Sequence, residues 1–148
     1  MDALSLLKED HRKVEKLFSE IEKAPVGKRE SLFKEIKTEL TVHAELEEKL
    51  LYPAAQKAKP THELALESVE EHKQVKKVLA DLAETDKKTD NWMAGLTVLK
   101  EDVEHHVKEE EGELFPKVKS EIMNKEQLED LGRQMEELKK KLLAQAKA

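Results

Sequence analysis

Apolar residues recur at three- and four-residue steps through four long stretches of this chain, with short punctuation between them. That step keeps one stripe of a helix apolar and suits no strand. The first stretch runs from an N-cap at Asp2 to Ala24, before Pro25-Val26-Gly27, and carries Leu4, Leu7, Val14, Leu17, Phe18 and Ile21. The second begins near Lys28 with Leu32, Phe33, Ile36, Leu40, Leu50 and Leu51; it kinks at Pro53 or runs on briefly to Lys59. Pro60-Thr61 supplies a turn and an N-cap for the third, which holds Leu64, Val69, Val75, Leu79 and Leu82. Past a polar loop, Asp90 or Asn91 caps the fourth, with Trp92, Leu96, Leu99 and Val103 ahead of Gly112 and Pro116. Short connections between four long helices predict an all-α fold, an antiparallel up-down-up-down four-helix bundle.

A fifth, weaker segment follows. Asn124 and Gln127 have the spacing of a capping box, and Leu128, Leu131, Met135, Leu138 and Leu142 form a stripe. The expected division is a bundle over residues 1–120 and an additional C-terminal helix over 121–148. That helix packs on the bundle or on a second subunit, so the chain is a monomer or a homodimer. Lys139, Lys140 and Lys141 fall in its last turns, where cations suit the helix dipole.

Composition agrees and excludes several classes. Charged residues make up 41% of the chain and aromatics 3%, the balance of long helices. Without cysteine there is no thiolate metal site, iron–sulfur cluster or cysteine nucleophile. A net charge of −6 argues against a nucleic-acid surface. No apolar run approaches the ~18 residues of a membrane span, and the start has no basic leader region. The expectation is a cytoplasmic protein.

The halves of the chain resemble each other. Asp10-His11-Arg12-Lys13-Val14 matches Glu71-His72-Lys73-Gln74-Val75 at an offset of 61. His43, Glu47, Glu48, Leu51, Tyr52 and Pro53 match His106, Glu110, Glu111, Leu114, Phe115 and Pro116 at an offset of 63. On the helices, His11, His43, His72 and His106, with Glu47 and Glu110, fall on the inward stripes where a bundle ordinarily puts Leu or Val. Burying two unpaired carboxylates costs several kcal/mol each, so something must compensate. Residues four apart on a helix share a face about 5–6 Å apart, so each His-x-x-x-Glu pair can converge on one centre. Four imidazoles and two carboxylates from four helices suit two first-row transition metals bridged by the carboxylates. A lone histidine in an apolar stripe is usually a satisfied core residue, but six such residues duplicated together are not explained that way.

The remaining candidates are weaker. His62 has no repeat partner and belongs on the surface. His105 lies about 100° around the helix from His106, exposed or flanking. Glu48 and Glu111 recur, at rotations that suit flanking or hydrogen-bonding roles. Tyr52 either packs as its counterpart Phe115 does, or brings its phenol to one metal or to a metal-bound oxygen.

The order His, His-x-x-x-Glu, His, His-x-x-x-Glu, with Leu-Tyr-Pro and Leu-Phe-Pro after the glutamates, resembles the hemerythrin-like (HHE cation-binding) domain over residues 1–120. The resemblance implies two non-haem iron ions, bridged by oxo or hydroxo. It also implies His11, His43, His72 and His106 as terminal ligands and Glu47 and Glu110 as bridges. By position, His11 and His43 serve one iron and His72 and His106 the other. Oxygen-carrying hemerythrins have a further histidine four residues after the one matching His72; here that residue is Lys76. They also place an Asp five residues after their last histidine, where this chain has Glu110 four after His106. Two histidines per iron leave a position open on each for water, peroxide or nitric oxide, unless Lys76 fills or solvates it.

The expected function is therefore reaction with small oxidants, most concretely catalase-like peroxide decomposition. One alternative is oxygen or iron binding or sensing without turnover. Another is nitric-oxide response or iron-centre repair, although relatives of that kind commonly carry a cysteine-bearing N-terminal domain. The partners expected are peroxide, dioxygen or nitric oxide.

Overall fold

In the computed structural model, which describes residues 1–147, α1 (Ala3–Lys23) starts at Asp2, whose carboxylate accepts from the Ser5 N–H at 2.8 Å. Such a cap contributes about 1 kcal/mol. A 3-10 turn at Val26–Lys28 leads into α2 (Arg29–Leu46), continued through a wide π turn at Glu47–Leu51 into α3 (Tyr52–Lys57). Then come α4 (His62–Glu84) and α5 (Asp90–Glu109). A second π turn at Glu110–Leu114, the short α6 (Phe115–Lys117) and a third π turn at Val118–Ile122 follow. The last helix is α7 (Lys125–Lys147). No helix among the described residues is long and apolar enough to cross a membrane.

Several local expectations are corrected. Thr61 precedes α4 but does not cap it with its side chain; its hydroxyl donates back to the Ala55 carbonyl at 2.7 Å. Thr89, rather than Asp90 or Asn91, caps α5 by accepting from the Trp92 N–H at 3.2 Å. Gly112 and Pro116 do not end the fourth helix, because the backbone stays helical to Ile122. Lys139 lies two turns before the end of α7 and is spent on an ion pair. The capping box is present: Gln127 N–H donates to Asn124 Oδ1 at 2.8 Å and Asn124 N–H to Gln127 Oε1 at 2.9 Å.

The wide turns have a visible cause. Pro53 and Pro116 lack an N–H and crowd the carbonyl four residues back, which opens an α-turn. In each case the residue before the proline closes a longer ring: Tyr52 N–H bonds the Glu47 carbonyl and Phe115 N–H the Glu110 carbonyl. Residues five apart on an α-helix point about 140° apart, whereas i→i+5 bonding returns them toward one face. Tyr52 and Phe115 thus end up inward, both 1% exposed, above their glutamates.

The helices pack in two pairs, α1 along α2 and α4 along α5, and α7 lies on α1 and α2. Two apolar clusters fill the bundle. One joins Leu4, Leu7, Leu46, Leu51, Ala65 and Leu114 to Leu128, Leu131 and Met135 of α7. The other joins Phe18, Ile21, Phe33, Ile36, Leu79 and Trp92 at the opposite end. Along every bundle helix the histidine falls between the two, so a polar layer divides an otherwise apolar core.

Candidate metal centre

All six inward residues are buried: His11, His43, Glu47, His72, His106 and Glu110, the last at 1% exposure and Glu47 at 0%. Each helix of the bundle delivers one imidazole, and the two glutamates open the first two π turns. The Nε2 atoms pair off, His11 with His43 at 3.2 Å and His72 with His106 at 3.1 Å. Two ring nitrogens at about 2.0–2.1 Å from a shared metal stand roughly 3 Å apart, so these separations suit one ion between each pair. Both carboxylates face both pairs. Glu47 Oε1 is 3.1 Å from the Nε2 of His43 and 3.1 Å from that of His72. Glu110 Oε1 is 3.2 Å from His11 and 3.4 Å from His106. Ligand-type atoms of His11, His43, Glu47 and Glu110 form one group that could hold an ion, and those of Glu47, His72 and His106 another.

Behind the imidazoles stands a ring of carboxylates. Asp10 Oδ2 meets His43 Nδ1 at 3.0 Å and Glu71 Oε1 meets His106 Nδ1 at 2.7 Å. Glu48 Oε2 meets His72 Nδ1 at 2.9 Å and Glu111 Oε2 meets His11 Nδ1 at 2.6 Å. The arrangement repeats. The acid preceding the first histidine of a half serves the second histidine of that half. The acid following each inward glutamate serves the first histidine of the other half. With Nδ1–H donated outward, every Nε2 is left to present a lone pair to the centre.

Most of these carboxylates have a cation outside them. Arg12 pairs with Glu111. Lys76 Nζ pairs with Glu48 at 3.1 Å, Lys139 Nζ with Asp10 at 2.5 Å, and His105 lies 3.6 Å from Glu71. Lys76 therefore does not fill the position left by the missing histidine, since its amine is turned to Glu48. Its stem lines a cavity of about 40 Å³ with Val75, Leu79, Val103 and all four histidines. Glu48 and Glu111 have the hydrogen-bonding roles expected of them. Asp10 and Glu71 gave only one signal, their alignment in the repeat. His62 is exposed, its ring against the Gln56 carbonyl, and His105 is exposed beside Glu109.

Three of the six carboxylates around the imidazoles, Asp10, Glu47 and Glu110, are buried with them. Burial opposes charge on His43, yet Glu47, Asp10 and Glu110 outweigh it and lift its pKa to about 10. His106 is raised well above its ordinary value, against burial, chiefly by Glu110. Burial would also raise Glu47, but the charge of His43 leads the interactions that hold it well below the usual carboxylate range. Two buried oxygens, Glu47 Oε2 and Glu110 Oε1, make no hydrogen bond. An orphaned buried oxygen on each shared carboxylate fits a cationic occupant, and nitrogen with oxygen donors suits first-row transition metals.

The halves differ at one aromatic. The Tyr52 hydroxyl donates to Glu110 Oε2 at 2.5 Å and lies 3.0 Å from Glu47 Oε1, 3.2 Å from His72 Nε2 and 3.3 Å from His106 Nε2. Burial first, and then the charges of Glu110 and Glu47, push its pKa well above the ordinary tyrosine value. Phe115, its counterpart, stacks on His11 with ring centroids 6.0 Å apart and planes 4° from parallel.

Comparison with known proteins agrees with this architecture. Uncharacterized proteins of Mycobacterium tuberculosis (Rv2633c) and Mycobacterium bovis (Mb2666c) are each 32% identical over 141 residues, covering 91% of this chain and 83% of the relative. The crystal structure of a hemerythrin HHE cation binding domain-containing protein, the Rv2633c homolog of Mycobacterium kansasii, superposes with a TM-score of 0.85. It is 30% identical, with 96% of this chain and 87% of that one covered. The model of the hemerythrin HHE cation binding domain matches residues 2–118, and the chain belongs to that family.

Proposed function

We propose that His11, His43, His72 and His106 are terminal ligands, and Glu47 and Glu110 bridging ligands, of two iron ions, and that the protein decomposes hydrogen peroxide. The observation that carries this reading is that each carboxylate faces both histidine pairs while keeping one buried oxygen free of hydrogen bonds. An iron pair supplies two redox equivalents, enough to reduce one peroxide to water and oxidise the next to dioxygen. The protons released by the second peroxide are those the first takes up, so proton handling falls to the protein. Tyr52 is placed for it: its raised pKa keeps the phenol protonated at neutral pH, with its O–H held at Glu110 Oε2. The cavity has room for a molecule of water or peroxide size, and its apolar walls of Val14, Leu40, Val75 and Leu79 exclude larger substrates. Lys76, held outward by Glu48, leaves that room open.

The test is metal content of protein purified without added metal, with an absorption spectrum and dioxygen release followed after peroxide. About two irons per chain with sustained release supports the proposal. Two irons without turnover favours binding or sensing of dioxygen, which the same apolar wall also suits. A folded protein that holds no metal, with or without chelator, overturns both.

A further inference from the structure

We infer that α7 is a working part of the proposed centre, with Lys139 a positioning residue that acts through Asp10 to hold His43 in its ligand orientation. The inference rests on the ligand reading of His43 above. Asp10 divides its two oxygens: Oδ2 accepts from His43 Nδ1 at 3.0 Å, and Oδ1 accepts from Lys139 Nζ at 2.5 Å. The other three carboxylates behind the histidines, Glu111, Glu48 and Glu71, are 24–31% exposed and share their charge with water. Asp10 is 3% exposed. A buried carboxylate that loses its cation turns toward water. That change removes the acceptor from His43 Nδ1 and frees the ring to rotate.

The register that brings Lys139 to Asp10 is set two helical turns away. A Cβ on Gly132 would lie 2.2 Å from the Met1 carbonyl oxygen and 3.0 Å from the Ala3 nitrogen, so only glycine lets α7 approach the start of α1 so closely. Lys139 is seven residues beyond Gly132, and Asp10 seven beyond Ala3. Seven residues are about two turns, which return to the same face. The two helices run side by side in the same direction, with Met135 buried between these contacts. Among the described residues the match has no counterpart in the other half, where Glu71 is flanked by His105 from α5.

The test compares wild type with Lys139→Met, which keeps the apolar stem and removes the charge, with Lys139→Arg, and with Lys140→Met as an exposed control. Anaerobic ferrous-ion titration against a chelator reads the two affinities separately. Proton NMR of the apo-protein reads exchange of the His43 Nδ1 proton. Lys139→Met is expected to melt as the control does and to bind one ion normally and the other about tenfold more weakly, the low end for loss of an outer partner. Its His43 Nδ1 proton exchanges faster, and Lys139→Arg restores both. Unchanged affinities with unchanged exchange overturn the inference. So does equal weakening of both ions with a lower melting temperature, which makes α7 a merely structural prop. Wild type that binds no metal refutes the ligand reading instead, and the exchange measurement alone then decides whether Lys139 positions His43. Lys139→Gln replaces Lys139→Met should the latter not fold.

Discussion

The two halves of the buried centre are built alike and differ in what surrounds them. Around His11 and His43 stand Phe115, the buried Asp10 and a lysine from α7; around His72 and His106 stand Tyr52, the partly exposed Glu71 and the surface residue His105. Backbone geometry is the common part, down to a π turn at each inward glutamate and a proline five residues beyond the first carboxylate neighbour. The difference is that one half has the buried Asp10 and an apolar ring, while the other has the partly exposed Glu71 and a phenol that donates a hydrogen bond. A duplicated scaffold thus fixes where six donors meet, and the residues outside them decide what each half can do. Substitutions that treat matching positions differently test that division.

The largest effects come from removing what the halves share. Glu110→Ala faces both histidine pairs, so the variant is expected to lose most of both metals, whereas His43→Ala loses one first and loosens the other. Metal analysis after purification checks this, and unchanged content in both variants refutes the proposed centre. If the proposed ions are bound, chelator is expected to lower the wild-type melting temperature, because an ion at a thousandfold excess over its Kd adds about 4 kcal/mol to the folded state. The apo-protein carries a pH signature of its own. His43 has a folded pKa of about 10 against an unfolded value near 6.5, so the stability it contributes is complete below the unfolded value. It is lost as pH rises through about 10. Glu47, Asp10 and Glu111 are lowered, so their contribution is present above the unfolded carboxylate range and lost as pH falls. Denaturation of apo-protein followed across pH is expected to show a maximum between these limits, and a flat profile counts against the buried charge layer.

Next in size is the aromatic exchange. Tyr52→Phe makes the second half copy the first; it is expected to keep both metals and lose about a hundredfold in peroxide turnover, the low range for removal of a positioned proton donor. Phe115→Tyr alone does not restore the loss, because its ring lies against His11 rather than over the shared carboxylates. Stopped-flow dioxygen release with parallel metal analysis separates the two outcomes, and turnover unchanged in Tyr52→Phe removes the phenol from the chemistry.

How much of this is legible in the sequence depends on the range of each interaction. The bundle is legible because apolar spacing is a local signal, and so is the convergence of His11, His43, Glu47, His72, His106 and Glu110, which replace leucine-type positions on the same stripes. The recurrence of Glu48 and Glu111 points to hydrogen bonds that the structure then supplies. Asp10 and Glu71 recur as well, but in a chain that is 41% charged an acid beside a histidine carries little information. The wide turns have no pattern of their own; only the prolines hint at them, and a proline in a helix equally predicts a kink. Lys139 meets Asp10 across 129 residues of chain, and nothing local distinguishes it from Lys140 or Lys141. Thr89 displaced Asp90 as a cap because residues of similar capping propensity stood side by side, and the one whose oxygen reaches the Trp92 N–H prevails.

The outer carboxylates sharpen the comparison further. Asp10→Asn and Glu71→Gln each weaken a hydrogen bond to an Nδ1 atom, and such partners are worth 10- to 100-fold in metal affinity. The loss at Asp10 is expected to be the greater, because the substitution also leaves Lys139 facing a neutral group in a dry setting, while water reaches Glu71. Stepwise ferrous-ion titration checks it, with equal losses as the result that would dissolve the contrast between the buried Asp10 and the partly exposed Glu71.

The smallest effects belong to the outermost cations, Arg12 on Glu111 and Lys76 on Glu48. Both are about half exposed, so each pair contributes within about 1 kcal/mol and is screened by salt. Arg12→Met and Lys76→Met are expected to shift the melting temperature little and equally. Lys76→His acts differently, because position 76 also lines the cavity between the histidine pairs. An imidazole there, one turn beyond His72, can approach the proposed second metal from the open side and occupy the room that the lysine leaves when it turns to Glu48. Azide titration of Lys76→His is then expected to show weaker binding than in Lys76→Met. Identical azide affinities in the two variants would mean that the open side of the centre lies elsewhere than this cavity.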